Sequence, residues 1–123
     1  MNYPSYDWQR VLRLAEDLPE MKSMPKQDFI YWLEDNQKIY SHFRGFALAA
    51  IKAKRKRFSC YMIRERVRWY TNVEYGGEFK ISNNLTPYLS RLLSADIPVL
   101  DKIFARKDVE EKELVEAYQG SLL

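Results

Sequence analysis

The sequence has few of the residues that interrupt regular structure or that build covalent and metal sites. Its 123 residues include four glycines, five prolines, one histidine and one cysteine. The single cysteine, Cys60, cannot form an internal disulfide bond, which fits a reducing cytoplasm. His42 has no histidine or cysteine partner at metal-ligand spacing, so we expect neither a metal nor another cofactor. The scarcity of glycine and proline predicts that regular secondary structure dominates.

The sequence also lacks long hydrophobic runs. No stretch approaches about 18 consecutive apolar residues, and Met1–Pro4 provides neither a basic nor an apolar segment. We therefore expect no signal peptide and no membrane span, with the cytoplasm as the default location. The length favours a single domain over residues 1–123. A hydrophobic content of 46% and an aromatic content of 15% are typical of a globular chain with a real core.

Positive charge is concentrated in one part of the chain. Eight of the twenty basic residues lie between Lys52 and Arg68, where Glu65 alone opposes them, so this segment carries a net charge of +7. The whole chain carries +3, which leaves the rest of the sequence mildly acidic. A concentrated positive field attracts polyanions, above all nucleic-acid phosphates. The alternative explanation is a solvated charged face that keeps the protein soluble.

Apolar residues recur at helical spacing along most of the chain and predict a mainly α, compact multi-helix domain. The predicted helices begin near Ser5, Pro25, Gln37, Ser59, Asn84, Pro98 and Asp108. The fourth of them, from Ser59 to about Tyr70, is expected to bury Cys60, Ile63 and Val67. The last helix is acidic and is expected to stop at Gly120.

One passage, Val73–Ile81, has a β-like composition. Gly76-Gly77 in its middle predicts the turn of one short β-hairpin. A helix, a short connector, a second helix and a hairpin follow each other in this order in winged-helix domains. The sequence therefore predicts a winged-helix-like or helix-turn-helix-like fold.

The fourth helix would then enter a major groove of DNA. Its outward face is expected to present Tyr61, Arg64 and Arg68, because arginine can bind guanine edges or clamp phosphates. The preceding connector would hold backbone phosphates, and Lys80 on the hairpin would contact an adjacent groove or strand. The connector residues assigned this role are Lys54, Arg55, Lys56 and Arg57. Glu65 leaves a structural explanation open, since it can pair with the arginines of its own helix.

Polar side chains also cluster at the start of the fifth predicted helix, in residues 82–86. Asn83 and Asn84 are candidate DNA contacts, because asparagine can read adenine and helix N-termini bind phosphate. Simple capping of the helix by Ser82 or an asparagine explains one or two of these residues and is the favoured alternative.

Patterns that could support catalysis have simpler explanations. Glu78-Phe79-Lys80 resembles one corner of a metal-dependent nuclease site, but the chain has no room for the larger sheet that such a site needs. His42 and Cys60 could form a dyad across two helices, although each fits a helix surface or core equally well. No glycine-rich phosphate loop is present. We therefore predict that the protein is not an enzyme.

The second half of the chain carries a recognisable pattern between Arg57 and Arg106. Its most specific portion is Phe79-Lys80-Ile81-Ser82-Asn83-Asn84, followed by Pro87-Tyr88 and Arg91-Leu92. This pattern resembles a family of small bacterial and phage-associated proteins of uncharacterised function. Ser82 stands where that family usually has asparagine. The resemblance implies a phage or mobile-element context and transfers no site residue.

The sequence thus favours a small, non-enzymatic DNA-binding regulator or accessory factor. The alternative is a protein-interaction module whose basic segment docks on an acidic partner surface. Met62 and Trp69 lie off the main apolar stripe of their helix, and we expect both to be buried. If exposed, they would mark a homo-oligomer or partner surface.

Overall fold

A computed structural model describes residues 3–74 and 81–122 of the protein. The chain is mainly helical and compact, and no strand occurs in these two ranges apart from an isolated bridge between Met21 and Met24. The α-helices are α1 (Trp8–Glu16), α2 (Lys26–Asp35), α3 (Gln37–Lys52), α4 (Cys60–Trp69), α5 (Thr86–Asp96), α6 (Val99–Phe104) and α7 (Glu111–Gly120). A π-helical turn, Tyr70–Glu74, extends α4, and a 3₁₀ turn, Asn83–Leu85, precedes α5.

Helix starts follow local capping chemistry. The Ser59 hydroxyl accepts a hydrogen bond from the Met62 backbone N–H at 3.2 Å, so the predicted cap of α4 is confirmed. Pro87 lies in the first turn of α5, where its missing N–H costs nothing. The predicted start of the first helix at Ser5 is wrong, because the Asp7 carboxylate accepts from the Arg10 N–H and the helix begins after it.

The core forms where α3 and α5 meet their neighbours. Helix α3 packs on α4 and α7, and α5 packs on α1, α4 and α6. The largest fully buried side chains include Tyr40 and Phe43 from α3, Phe29 from α2 and Tyr88 from α5. The rings of Phe29 and Tyr88 stack at 4.8 Å between centroids. Because α4 contributes only one side to this core, its opposite side faces solvent.

The predicted β-hairpin is not shown. Its residues 75–80, with both turn glycines, lie outside the described residues. Val73 and Glu74 were expected to open the first strand, and that part of the prediction is wrong because they end the π-helical turn. Burial of Tyr70 and Thr71 keeps the chain helical here, and the Thr71 hydroxyl donates to the Arg68 carbonyl at 3.2 Å.

Candidate nucleic-acid interface

The connector between α3 and α4 holds four consecutive cations on the surface. Lys54, Arg55, Lys56 and Arg57 are all exposed, as the sequence predicts. Lys54 adopts a left-handed backbone conformation, with φ of 61°. The Arg55 N–H reaches the Ala50 carbonyl at 3.0 Å, which completes a Schellman motif at the end of α3. The end of α3 therefore sets the direction in which the connector, with its four cations, leaves the helix.

The same motif recurs at the end of α6. Arg106 has φ of 58°, and the Lys107 N–H donates to the Lys102 carbonyl at 2.9 Å. Arg106 and Lys107 are exposed. Residues other than glycine adopt a left-handed conformation at a cost of about 1 kcal/mol or more. Glycine is therefore the usual residue where a helix ends in this way. In the described residues, the positive φ values outside glycine belong to two cations, Lys54 and Arg106.

An open groove of about 520 Å³ lies between these two connectors. Arg57 and Arg106 both line it, near the N-terminal end of α4. Its apolar walls include Phe58 and Phe104, whose rings meet edge to face at 6.1 Å between centroids. The fold thus joins two basic segments that are far apart in sequence. The sequence carries only one signal for the second segment, the pair Arg106-Lys107 between two predicted helices.

Part of this cationic surface is paired with the start of α7. The Lys54 Nζ lies 2.6 Å from Glu111 Oε1, and the Arg57 Nη2 lies 3.7 Å from Asp108 Oδ1. The hydrogen bond and charge of Lys54 hold the pKa of Glu111 below its usual range. Arg55 and Lys56 make no ion pair within the described ranges. Exposed pairs of this kind contribute only about 0.2–1 kcal/mol, so a phosphate can displace them.

The prediction that Arg64 faces outward is wrong. Its side chain is buried, the Nη2 donates to the Ile81 carbonyl at 3.0 Å, and the Nη1 lies 3.1 Å from Glu65 Oε1. Position 64 borders the buried stripe of α4 beside Ile63 and Val67. The long side chain crosses from that edge to a carbonyl that needs a donor. Arg64 therefore ties α4 to the chain that leads into α5.

The remaining exposed face of α4 is not strongly cationic. Tyr61 and Arg68 face solvent as expected, and Arg68 lies 3.7 Å from Glu65. Met62 and Trp69 are 56% and 57% exposed, so the prediction of their burial is wrong. A face with two large apolar side chains and a carboxylate is poorly suited to a polar DNA groove.

The start of α5 supports the capping explanation. The Ser82 hydroxyl accepts from the Asn84 N–H at 3.2 Å and begins the 3₁₀ turn. Asn83 and Asn84 are exposed and stay available for a ligand. Lys80 and the motif Glu78-Phe79-Lys80 lie outside the described residues. Among the hydrogen bonds and ion pairs of the described ranges, none joins Asn83 or Asn84 to the connector cations.

His42 and Cys60 have separate partners. The Tyr3 hydroxyl and His42 Nδ1 share a hydrogen bond at 2.7 Å. Burial raises the pKa of the Cys60 thiol to about 12, against the opposing effects of the Ser90 hydroxyl and Arg64. A thiol held protonated in this way is a poor nucleophile. Within residues 3–74 and 81–122, no three histidine, cysteine or acidic side chains are grouped to hold a metal ion.

None of the helices in the described ranges has both the length and the apolar character that a membrane crossing requires. Comparison of the chain with protein-family models, with curated proteins and with solved structures finds no match.

Proposed function

We propose that this protein is a small, non-enzymatic DNA-binding regulator or accessory factor of a phage or mobile element. Its nucleic-acid interface would be the two basic connectors, Lys54–Arg57 and Arg106–Lys107. The observation that carries the proposal is the pair of left-handed cations, Lys54 and Arg106, on connectors that adjoin one groove. Strained backbone of this kind concentrates at functional sites, because the fold elsewhere must offset its cost.

Phosphates are the ligands that this surface fits. Arg57 and Arg106 line the same groove and can both contact a phosphate bound in it, and the N-terminal end of α4 adds a favourable dipole. Binding would exchange the exposed pairs with Glu111 and Asp108 for pairs with DNA. Such contacts position a protein on the backbone without reading bases, so we expect weak sequence preference and strong salt dependence.

The test is a fluorescence anisotropy titration against random duplex DNA over a range of salt concentrations. The triple variant Arg55→Ala, Lys56→Ala, Arg57→Ala should bind more weakly. The slope of log affinity against log salt should fall by roughly 0.9 for each lost phosphate contact. A matched control removes three exposed cations elsewhere, with Arg13→Ala, Lys22→Ala and Arg91→Ala, and so changes the net charge equally. Equal losses in both variants, or no loss in the first, would contradict the assignment.

A protein-interaction module is the second candidate. The exposed Met62 and Trp69 favour it, because large apolar side chains in solvent are enriched at protein contacts. The connector cations would then dock on an acidic partner surface. Absence of DNA binding at low salt would exclude the first proposal and leave this one.

A further inference from the structure

Large apolar side chains are exposed on the solvent side of α4. Met62, Trp69 and Val73 are 56%, 57% and 58% exposed. They follow one another at spacings of seven and four residues, so they lie on one line along α4 and its π-helical extension. We call this line, together with Phe58, Glu65 and Arg66, the α4 seam.

The α4 seam is continuous with neighbouring depressions. At one end Met62 forms part of the groove that Phe58 and Phe104 line. At the other end Trp69 and Val73 line a shallow depression of about 330 Å³ together with Arg68 and Glu65. Exposed apolar side chains therefore lie towards both ends of the helix, with Glu65 and Arg66 between them, which spreads the candidate contact over the length of a helix-on-helix interface.

We propose that two copies of this chain pack their α4 seams antiparallel, about a twofold axis that passes between Glu65 and Arg66. Residues equally distant from this point then face each other across the interface. Met62 faces Trp69 of the second copy, and Phe58 faces Val73 of the second copy. Each contact occurs twice, as an isologous interface requires. The chemistry of each pair is favourable, since methionine sulfur packs well against an aromatic ring.

The charges of the seam select this orientation. Glu65 is the single acid of the seam, and the antiparallel arrangement places it beside Arg66 of the second copy. Parallel packing would instead set Glu65 against Glu65 and Arg66 against Arg66, which is repulsive. Arg66 already lies over the Phe46 ring at 4.7 Å and 3.5 Å from Glu74, so it is held at the side of the seam.

The dimer covers Phe58 and Met62 at one wall of the groove but leaves the connector cations Lys54–Arg57 outside the seam. Each basic connector lies at the N-terminal end of its own α4, and the twofold axis sends the two connectors to opposite ends of the paired helices. Ten residues of helix span about 15 Å, which is the minimum separation along the axis. Formation of the dimer does not depend on DNA binding, and the experiment that tests it contains no DNA.

The experiment measures the mass of the full chain by sedimentation equilibrium over a range of concentrations. We expect the wild-type chain to approach twice its 14.8 kDa. Trp69→Lys should be monomeric, since it places a charge in the seam without touching the core. Tyr31→Lys is the matched control, because Tyr31 is 60% exposed on α2, away from the seam, and this variant should remain dimeric.

Charge-reversal variants distinguish a specific dimer from a general effect on solubility. Glu65→Arg and Arg66→Glu should each weaken the dimer, since each creates like-charge pairs. Mixing the two variants should restore a heterodimer, in which residue 65 of either chain again faces an opposite charge. A wild-type monomer at every concentration, a dimeric Trp69→Lys variant, or no heterodimer on mixing would overturn the proposal.

Discussion

At the scale of single residues, Asp96 joins more of the structure than any other carboxylate in the described ranges. One of its oxygens accepts from Arg10 Nη1 at 2.7 Å. The other accepts from Arg44 Nε at 2.9 Å and from the Tyr40 hydroxyl at 2.7 Å. Burial, and then the charge of Asp96, raise the pKa of Tyr40 well above its usual range, so this hydroxyl remains a donor. The carboxylate thereby fixes α1 and α3 to the end of α5.

Asp96→Asn should destabilise the fold by about 3–5 kcal/mol, because it leaves the Arg44 charge buried without a counter-charge. Arg44 is only 4% exposed, so solvent screens its charge weakly. Arg10→Ala is the matched comparison, since the Arg10 side chain is 44% exposed and its pair should contribute only about 1 kcal/mol. Urea unfolding followed by circular dichroism measures both free energies. Similar losses in the two variants would contradict the role of Arg44 as the buried partner.

The sequence could not reveal this network. Asp96 beside Pro98 has the pattern of a helix start, and its partners lie 52, 56 and 86 residues away. Arg64 shows the same limit at closer range. Helical spacing places it at the edge of the buried stripe, and whether such a side chain turns inward depends on an acceptor that tertiary structure supplies. That acceptor is the Ile81 carbonyl.

At the scale of elements, α3 is shaped by a close approach of the N-terminal segment. The ring of Tyr3 lies directly over Gly45, where a Cβ atom would overlap it. The same ring packs edge to face on Phe46 and its hydroxyl binds His42. Glycine inside a helix costs about 1 kcal/mol relative to alanine. In α3 this cost is offset, because the absence of a Cβ atom at Gly45 lets the N-terminal segment pack closely against the helix.

The effect of Gly45→Ala should change sign with the residue at position 3. In the wild-type chain the added methyl displaces the Tyr3 ring, and we expect a loss of stability. In a Tyr3→Ala background the overlapping ring is removed, and helix propensity should then give a gain of about 1 kcal/mol. A double-mutant cycle measured by urea unfolding tests the coupling. Additive effects would show that Gly45 and Tyr3 are independent.

Helix positions were largely predictable, because caps and apolar periodicity are local signals. Ser59 and Pro87 mark helix starts in the sequence, and both act so in the structure. The faces of α4 were less predictable. Met62 and Trp69 are residue types that are usually buried, and their exposure depends on which elements pack against α4. Periodicity reports that a helix has an apolar side but not whether a second side finds a partner.

At the scale of the whole molecule, charge is organised by loops and not by one helix. The cluster between Lys52 and Arg68 looks continuous in the sequence, but the fold divides it. Its connector part meets Arg106 and the acidic start of α7, while Arg64 turns inward and Arg68 lies at the far end of α4. Local charge density could be predicted; the neighbours that complete or neutralise it could not.

The stability of the whole fold should fall as pH drops below about 6.5, the ordinary pKa of histidine. Burial and then the charge of Lys38 lower the pKa of His42, so the unfolded chain binds this proton more readily than the folded one. The contribution of the neutral ring is complete above pH about 6.5 and is lost as pH falls towards the folded pKa.

The range from pH 7.5 to 5.5 isolates this effect, because ordinary carboxylates remain ionised there. His42→Asn keeps an acceptor for the Tyr3 hydroxyl but does not titrate, so its free energy of unfolding should stay nearly constant over this range. Urea unfolding of both chains at each pH provides the comparison, and parallel pH profiles would assign the loss to another group.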